Sequence, residues 1–301
     1  VAVNKMDLVD YSQAVFDAIA AEYSAFAAQM GVRNLHFIPI SALQGDNVVT
    51  ESRHMPWYTG PSLMHYLEAV DTGGPRNRDD FRFPVQLAVR PHQDFRGFAG
   101  QVASGRVTGG DDITVLPGGQ TSRIAKIVMG GEEVDEAEQG DSVILTLEEE
   151  IDISRGDMIV HSYNLPHSSE DVECTLCWLS SEPLDPQRTY LLQHTTRQVR
   201  AQVRGLRYRL DVDTLAQVPA AGLQLNEIGA AVLHTTQPLF FDAYTANRAT
   251  GSFILIDAYS QNTVAAGLIR SGGSRHPAEA ARPSSSNVVW QEGAVTRPLR
   301  E

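Results

Sequence analysis

The run Asn4-Lys5-Met6-Asp7 puts an amide, an amine and a carboxylate within four residues, directly after the short apolar stretch Val1-Ala2-Val3. A carboxylate there can accept two hydrogen bonds side by side, from the ring N1–H and the 2-amino group of guanine, donors that adenine lacks. Asn4 can bond the base edge and brace a neighbouring loop. The aliphatic stem of Lys5 can cover the base face while its ammonium reaches toward the ribose. Ser41-Ala42-Leu43 follows a second apolar run, residues 35–40, and a backbone N–H from that loop would bond the base oxygen. An N-K-x-D string alone recurs by chance. Its weight comes from standing where a strand ends and a loop begins, the place where open α/β sheets bind ligands. The candidate base-binding residues are Asn4, Lys5, Met6, Asp7, Ser41, Ala42 and Leu43.

Other reactive side chains point to less. Cys174 and Cys177 form a C-x-x-C, but Val172, Cys174, Leu176 and Trp178 alternate as in a strand, where an offset of three puts the two thiols on opposite faces. His92, His161, His167 and His194 have no metal-ligand spacing. His54, beside Met55-Pro56-Trp57, has no nucleophile to activate and reads as a packing or subunit contact. No G-x-x-x-x-G-K-[ST] run occurs in the 301 residues, so no phosphate loop is found. No catalytic residue and no metal ligand is assigned.

The elements that must hold the base-reading loops are those of an α/β sheet. Asp10 with Gln13 resembles a capping box. Behind it Val15, Phe16, Ile19, Tyr23, Phe26, Ala27 and Met30 recur at helical spacing, and Gly31 suits the stop. Residues 35–40 read as the next parallel strand. A second helix is predicted from Pro61, with Leu63, Met64, Leu67 and Val70 on one face. Residues 72–80 read as a linker. From residue 81 short runs of Val, Ile, Leu and Thr alternate with Gly and Asp turns, at 84–89, 100–107, 112–116, 122–128, 142–147 and 158–161. That texture predicts antiparallel barrels, one over 81–170 and another over 171–270. Residues 271–286, rich in Gly, Ser, Pro and Ala, read as a flexible linker, and an ordered pattern restarts at Asn287-Val288-Val289-Trp290. The expected fold class is a partial P-loop GTPase α/β domain, residues 1–71, followed by two antiparallel β-barrels.

The formal charge is −13, from 24 Lys+Arg against 37 Asp+Glu, which argues against a general nucleic-acid binder. Arg188, Arg197, Arg200, Arg204, Arg207 and Arg209 fall in a stretch without acids, and residues 132–152 carry ten acids without a base. Both read first as solvated or partner-facing barrel surface. No apolar run reaches membrane-span length and no signal peptide opens the chain. With only two Cys, a cytoplasmic location is expected. A start inside a strand at Val1 rather than at Met, and a charged end at Glu301, read as an internal piece of a longer protein.

Asn4-Lys5-Met6-Asp7 followed by Ser41-Ala42-Leu43 is similar to the fourth and fifth guanine motifs of translational-type GTPases, and the two β segments resemble the barrels of elongation factor Tu. Closer still is the GTP-hydrolysing large subunit of bacterial sulfate adenylyltransferase. That family is resembled by residues 41–49, Met55-Pro56-Trp57-Tyr58-Thr59-Gly60-Pro61, His194-Thr195-Thr196, Leu225-Asn226-Glu227-Ile228-Gly229 and residues 247–257. The tail, Asn287-Val288-Val289-Trp290 with Val295-Thr296-Arg297, is similar to the start of adenylylsulfate kinase, which some bacteria fuse behind the GTPase. The resemblance implies GTP as ligand, with Mg2+ held by residues outside this chain. It also implies a partner, the small ATP-binding adenylating subunit, in a heterodimer or higher assembly that makes adenylyl sulfate and diphosphate from ATP and sulfate. No nucleic-acid or membrane partner is expected. The alternatives are a translation-type factor binding tRNA or ribosome, and a non-catalytic, partner-binding barrel pair.

Overall fold

The computed structural model describes residues 1–32, 34–70, 77, 79–91 and 95–270. The expected linkers at 72–80 and 271–286 and the expected kinase start at 287–301 fall wholly or mostly outside these residues. The chain divides into two units, Val1–Pro75 and Arg76–Glu301.

The first unit is small and sparsely stranded. Strand β1 (Ala2–Val3) pairs in parallel with β2 (Ile38–Pro39), Ala2 opposite Ile38. A 3-10 turn, Met6–Val9, leads into helix α1 (Gln13–Gln29). The expected capping box does not form. Asp10 takes a left-handed conformation (φ 50°) that closes the 3-10 turn, and Ser12, with no side-chain bond, stands at the cap position. A positive φ at Asp10 turns the chain before the helix can begin, so its side chain is a turn former rather than a cap. The helix ends as expected. Gly31 (φ 71°) donates to Ala28 O and Val32 donates to Ala27 O, the paired bonds of a Schellman stop.

Helix α2 (Leu63–Ala69) starts two residues after Pro61, because Ser62 is the cap and its hydroxyl accepts from His65 N. The expected apolar face of α2 packs only in part: Leu63 and Val70 are half-buried, Met64 and Leu67 are exposed, and Tyr66 stacks flat on His36 at 4.7 Å. On α1 likewise Val15, Ile19 and Tyr23 are exposed, as is Met30 at its C-cap, and only Phe16 and Ala27 are buried. The core here is Val3, Met6, Phe16 and Met55, flanked by Tyr11, Phe37, Trp57 and Tyr58.

The second unit is all β. Its first barrel contains β3 (Arg82–Val89), β4 (Gly97–Gln101), β5 (Arg106–Thr108), β6 (Asp112–Leu116), β7 (Gln120–Met129), β8 (Glu132–Val134), β9 (Glu136–Glu138), β10 (Ser142–Leu147) and β11 (Met158–His161). Six of them close in the order β10-β4-β3-β11-β6-β7, with β7 returning to β10. The run expected at 100–107 is two strands, not one. Gly105 (φ 73°) breaks it, and a Cβ there would collide with the backbone of Phe81.

The second barrel contains β12 (His167–Trp178), β13 (Thr189–His194), β14 (Arg197–Leu210), β15 (Gln217–Val218), β16 (Ile228–Phe241), β17 (Ser252–Asp257) and β18 (Thr263–Ile269). It closes in the order β13-β17-β18-β12-β16-β14, with β14 returning to β13. Closure leaves the six strands no free edge. Val172, Cys174, Leu176 and Trp178 alternate into its core as their spacing requires. Cys174 is buried, its thiol pushed up to about 12 by that burial, while Cys177 lies half-buried on the other face, both as free thiols.

A buried polar latch joins the barrels. Arg82, 1% exposed, grips Asp242 with Nε and Nη2, both at 2.9 Å. Its remaining donors reach Phe81 O, Asn164 O and Asn164 Oδ1. Asn247 adds a second tie to Ser104 Oγ at 2.7 Å. Beside the latch Met158, Val160 and Phe240 form an apolar contact.

Candidate functional site

The residues singled out by type and spacing come together at the carboxyl ends of β1 and β2. The parallel pair sends both chains out on the same side, so the loops after Val3 and after Ile40 become neighbours. Asn4 Oδ1 accepts from Lys5 N at 2.7 Å and from Ala42 N at 3.0 Å, a direct bridge between the loops. Asp7 Oδ1 accepts from Ser41 Oγ at 2.6 Å. Met6 N donates to Ile40 O at 3.2 Å, and the Met6 side chain, 1% exposed, anchors the loop in the core. Lys5 takes a left-handed conformation (φ 66°, ψ 33°) that makes the sharp turn between them.

What faces solvent is the part that could meet a ligand. Asn4, Lys5, Ala42 and Leu43 are exposed, Leu43 by 83%, and Asp7 is partly so. Ser41 is fully buried and acts as a bracket for Asp7. With one Asp7 oxygen held by Ser41, its other oxygen has no partner among the described residues. The Ala42 N–H, one candidate for a base oxygen, is engaged by Asn4. The arrangement is a rigid acceptor beside a polar loop, able to read a flat heterocycle that carries adjacent N–H donors.

Sequence reasoning missed the residues that stiffen these loops. Asp46 Oδ2 accepts from the Tyr11 hydroxyl at 2.9 Å, and its Oδ1 accepts from Ser52 Oγ at 2.6 Å and faces His54 Nδ1 at 3.0 Å. The Ser52 hydrogen bond is the main influence holding the Asp46 carboxyl below the usual carboxylate range, helped by His54 and Tyr11 against its burial. Burial first, and then the Asp46 carboxylate, raise the Tyr11 phenol. The Tyr11 ring stacks on His54 at 4.8 Å, and Trp57 Nε1 donates to Tyr11 O at 3.0 Å. Asn47, 2% exposed and at φ 54°, donates to Pro39 O and accepts from Ser52 N. The sequence hints at them through the turn-forming string Gly45-Asp46-Asn47 and through the family-like strings at 41–49 and 55–61, but none of these gives their roles. His54, expected as a packing or subunit contact, packs its ring on Tyr11 and faces Asp46 while remaining exposed.

Among the described residues no group of three or more His, Cys, Asp or Glu gathers as a metal site, and no helix is long and apolar enough to cross a membrane. The arginine stretch is largely paired: Arg188 with Asp257, Arg204 with Asp171, Arg207 with Glu173 and Arg209 with Glu227.

Residues 171–270 match the family model described as GTP-eEF1A C-terminal domain-like. Among curated proteins, the bifunctional enzyme CysN/CysC of Rhodopirellula baltica is 50% identical over 298 residues, covering 98% of this chain and 45% of that protein. Sulfate adenylyltransferase subunit 1 of Sulfurovum sp. is 41% identical over 309 residues, covering 100% of this chain and 64% of its own. Among solved structures, that of Sup35 complexed with GMPPNP matches with a TM-score of 0.60 at 22% identity, over 90% of this chain and 68% of that one, a likeness of fold. The chain spans about half the length of the curated relatives it matches.

Proposed function

Since this chain is a homologue of sulfate adenylyltransferase subunit 1 and of the matching portion of bifunctional CysN/CysC enzymes, we propose that it supplies the guanine-recognition half and the two barrels of a GTPase that drives adenylyl transfer to sulfate. The observation that carries this reading is the Asp7 carboxylate, oriented by Ser41 with one oxygen left open beside the Asn4–Ala42 bridge. Asp7 accepts from the guanine N1–H and 2-amino group. Asn4 fixes the spacing of the two loops, Met6 anchors the first of them, and Lys5 covers the base. Ser41, Ala42 and Leu43 close the base-oxygen side. GTP supplies the free energy of hydrolysis. The phosphate loop and the ligands of its Mg2+ lie outside these 301 residues, which contain no G-x-x-x-x-G-K-[ST] run.

Joining sulfate to the AMP moiety of ATP forms a mixed phosphoric–sulfuric anhydride, a strongly uphill step, so the reaction needs coupling to a second, downhill one. We assign the adenylation chemistry to a separate small ATP-binding subunit. The barrels, proposed to span 81–170 and 171–270 behind a GTPase part at 1–71, carry the nucleotide signal to that subunit. Residues 287–301, behind a linker at 271–286, begin an adenylylsulfate kinase. This fusion is supported by bifunctional relatives that align over 98–99% of the chain. The complex works in the cytoplasm, on small molecules rather than on nucleic acid or membrane.

The test is a coupled assay on the complete protein with its small subunit, given ATP and sulfate. Diphosphate release that rises when GTP is added and fails with a non-hydrolysable GTP analogue supports the proposal. Release indifferent to GTP sinks it.

A further inference from the structure

The Asp46 carboxylate bonds none of the residues assigned to the base, yet Asp46 is tied to every segment that forms the candidate site. Its carbonyl oxygen accepts from Ser41 N at 3.1 Å, which closes the loop holding Ala42 and Leu43. Its carboxylate accepts from Tyr11, whose own N–H donates to Met6 O in the loop that holds Asp7. The same carboxylate takes Ser52 and His54 from the following loop. That loop reaches back to Tyr11 through the Trp57 indole. The Asp46 side chain is 9% exposed, so these bonds are shielded from competition with water.

We infer that Asp46 is a positioning residue for the base site. Its carboxylate, shared by Tyr11, Ser52 and His54, holds the loop after β1 and the loop after β2 at the separation a guanine base requires. The inference rests on the guanine reading above. Asp7 then reads the N1–H and 2-amino edge, and the second loop reads the base oxygen only while Asp46 keeps the two in register. Loosening this staple weakens the contact to the base oxygen and leaves the Asp7 contact intact.

The experiment uses the complete protein as wild type, Asp46→Asn and Tyr11→Phe. Displacement of a fluorescent GDP is measured with GDP and with 6-thio-GDP, whose sulfur is a poor acceptor at the place of the base oxygen. The expected result is wild-type preference for GDP, and a loss of about tenfold in GDP affinity in the variants, the worth of one lost hydrogen bond. Affinity for 6-thio-GDP falls less, so the preference shrinks toward unity. Tyr11→Phe, which removes a single hydroxyl, keeps the test open should Asp46→Asn misfold. GDP affinity within twofold of wild type overturns the inference. So does a parallel loss for both nucleotides, the mark of a merely structural role. Wild-type protein that binds neither nucleotide overturns the guanine reading itself and the inference with it.

Discussion

The barrels and the α/β unit solve the same problem differently. Each barrel closes six strands on an apolar core, sixteen buried apolar residues in the first and twenty in the second among the described residues, and pairs its backbone with itself. Among its described residues the α/β unit has two strands of two residues each and a buried cluster of four. Its helix α1 presents Val15, Ile19 and Tyr23 to solvent. The barrels therefore hold themselves, while the ligand-facing loops depend on a few hydrogen-bonded side chains. The scaffold is held by apolar burial and strand pairing, the site by hydrogen-bonded side chains.

The largest effect expected is at the latch between the barrels. Arg82→Met leaves the buried Asp242 carboxylate with only the neutral donors Thr250 and Asn247, and breaking such a pair from one side costs about 3–5 kcal/mol. Urea unfolding should show that loss, and adding Asp242→Leu should recover only part of it, since it removes the unpaired charge but takes the acceptor from Thr250 and Asn247. Equal stability of wild type and Arg82→Met would mean that the barrels do not depend on this contact.

A smaller effect separates the units by pH. His194 lies in the barrel core, 1% exposed, with Nε2 facing Thr250 O at 2.7 Å. Burial pushes its imidazole below the ordinary histidine value. The unfolded chain then takes up a proton that the folded barrel refuses, so stability falls as pH drops below the unfolded value, about 6.5. His194→Gln should flatten the wild-type stability profile below about pH 6.5. An unchanged profile would place that pH dependence elsewhere.

The smallest effect expected is on α1. Ile19, 42% exposed, replaced by Ser should shift the urea midpoint by an amount within about 0.5 kcal/mol. Leu176→Ala in the second barrel core should cost about 2–5 kcal/mol. A large loss from Ile19→Ser would show that this helix face is covered in solution, and the contrast between the units would narrow.

The same division governs what was legible in the sequence. Period-two alternation survives in β12 because both neighbours in the barrel demand it, so Val172, Cys174, Leu176 and Trp178 could be placed from spacing alone. The helix faces of the α/β unit could not. Apolar periodicity located α1 and α2, but it says nothing about which side is covered, and Met64 and Leu67 stay exposed. The Asp10 capping box failed because a left-handed turn at that residue took precedence over local propensity. Asn4, Asp7 and Ser41 were recognisable because their bonds join two strand ends one helix apart. Asp46, Tyr11 and His54 meet across 8 and 35 residues of sequence, and Arg82 reaches Asp242 across 160. Such pairs are set by the tertiary path of the chain, and no local pattern announces them.

Guanine recognition at this site rests most directly on Asp7, and the nucleotide affinities of the protein decide it. Dissociation constants for GDP and for xanthosine diphosphate should be measured on the complete protein as wild type and as Asp7→Asn. An asparagine accepts from N1–H and donates to the 2-oxo group of xanthine, whereas the aspartate suits the 2-amino group of guanine. With charge-assisted bonds worth about 1.5–3 kcal/mol each, the preference should invert, from roughly a hundredfold for GDP to a preference for the xanthine nucleotide. An Asp7→Asn protein that still selects GDP as wild type does would contradict the assignment of this site.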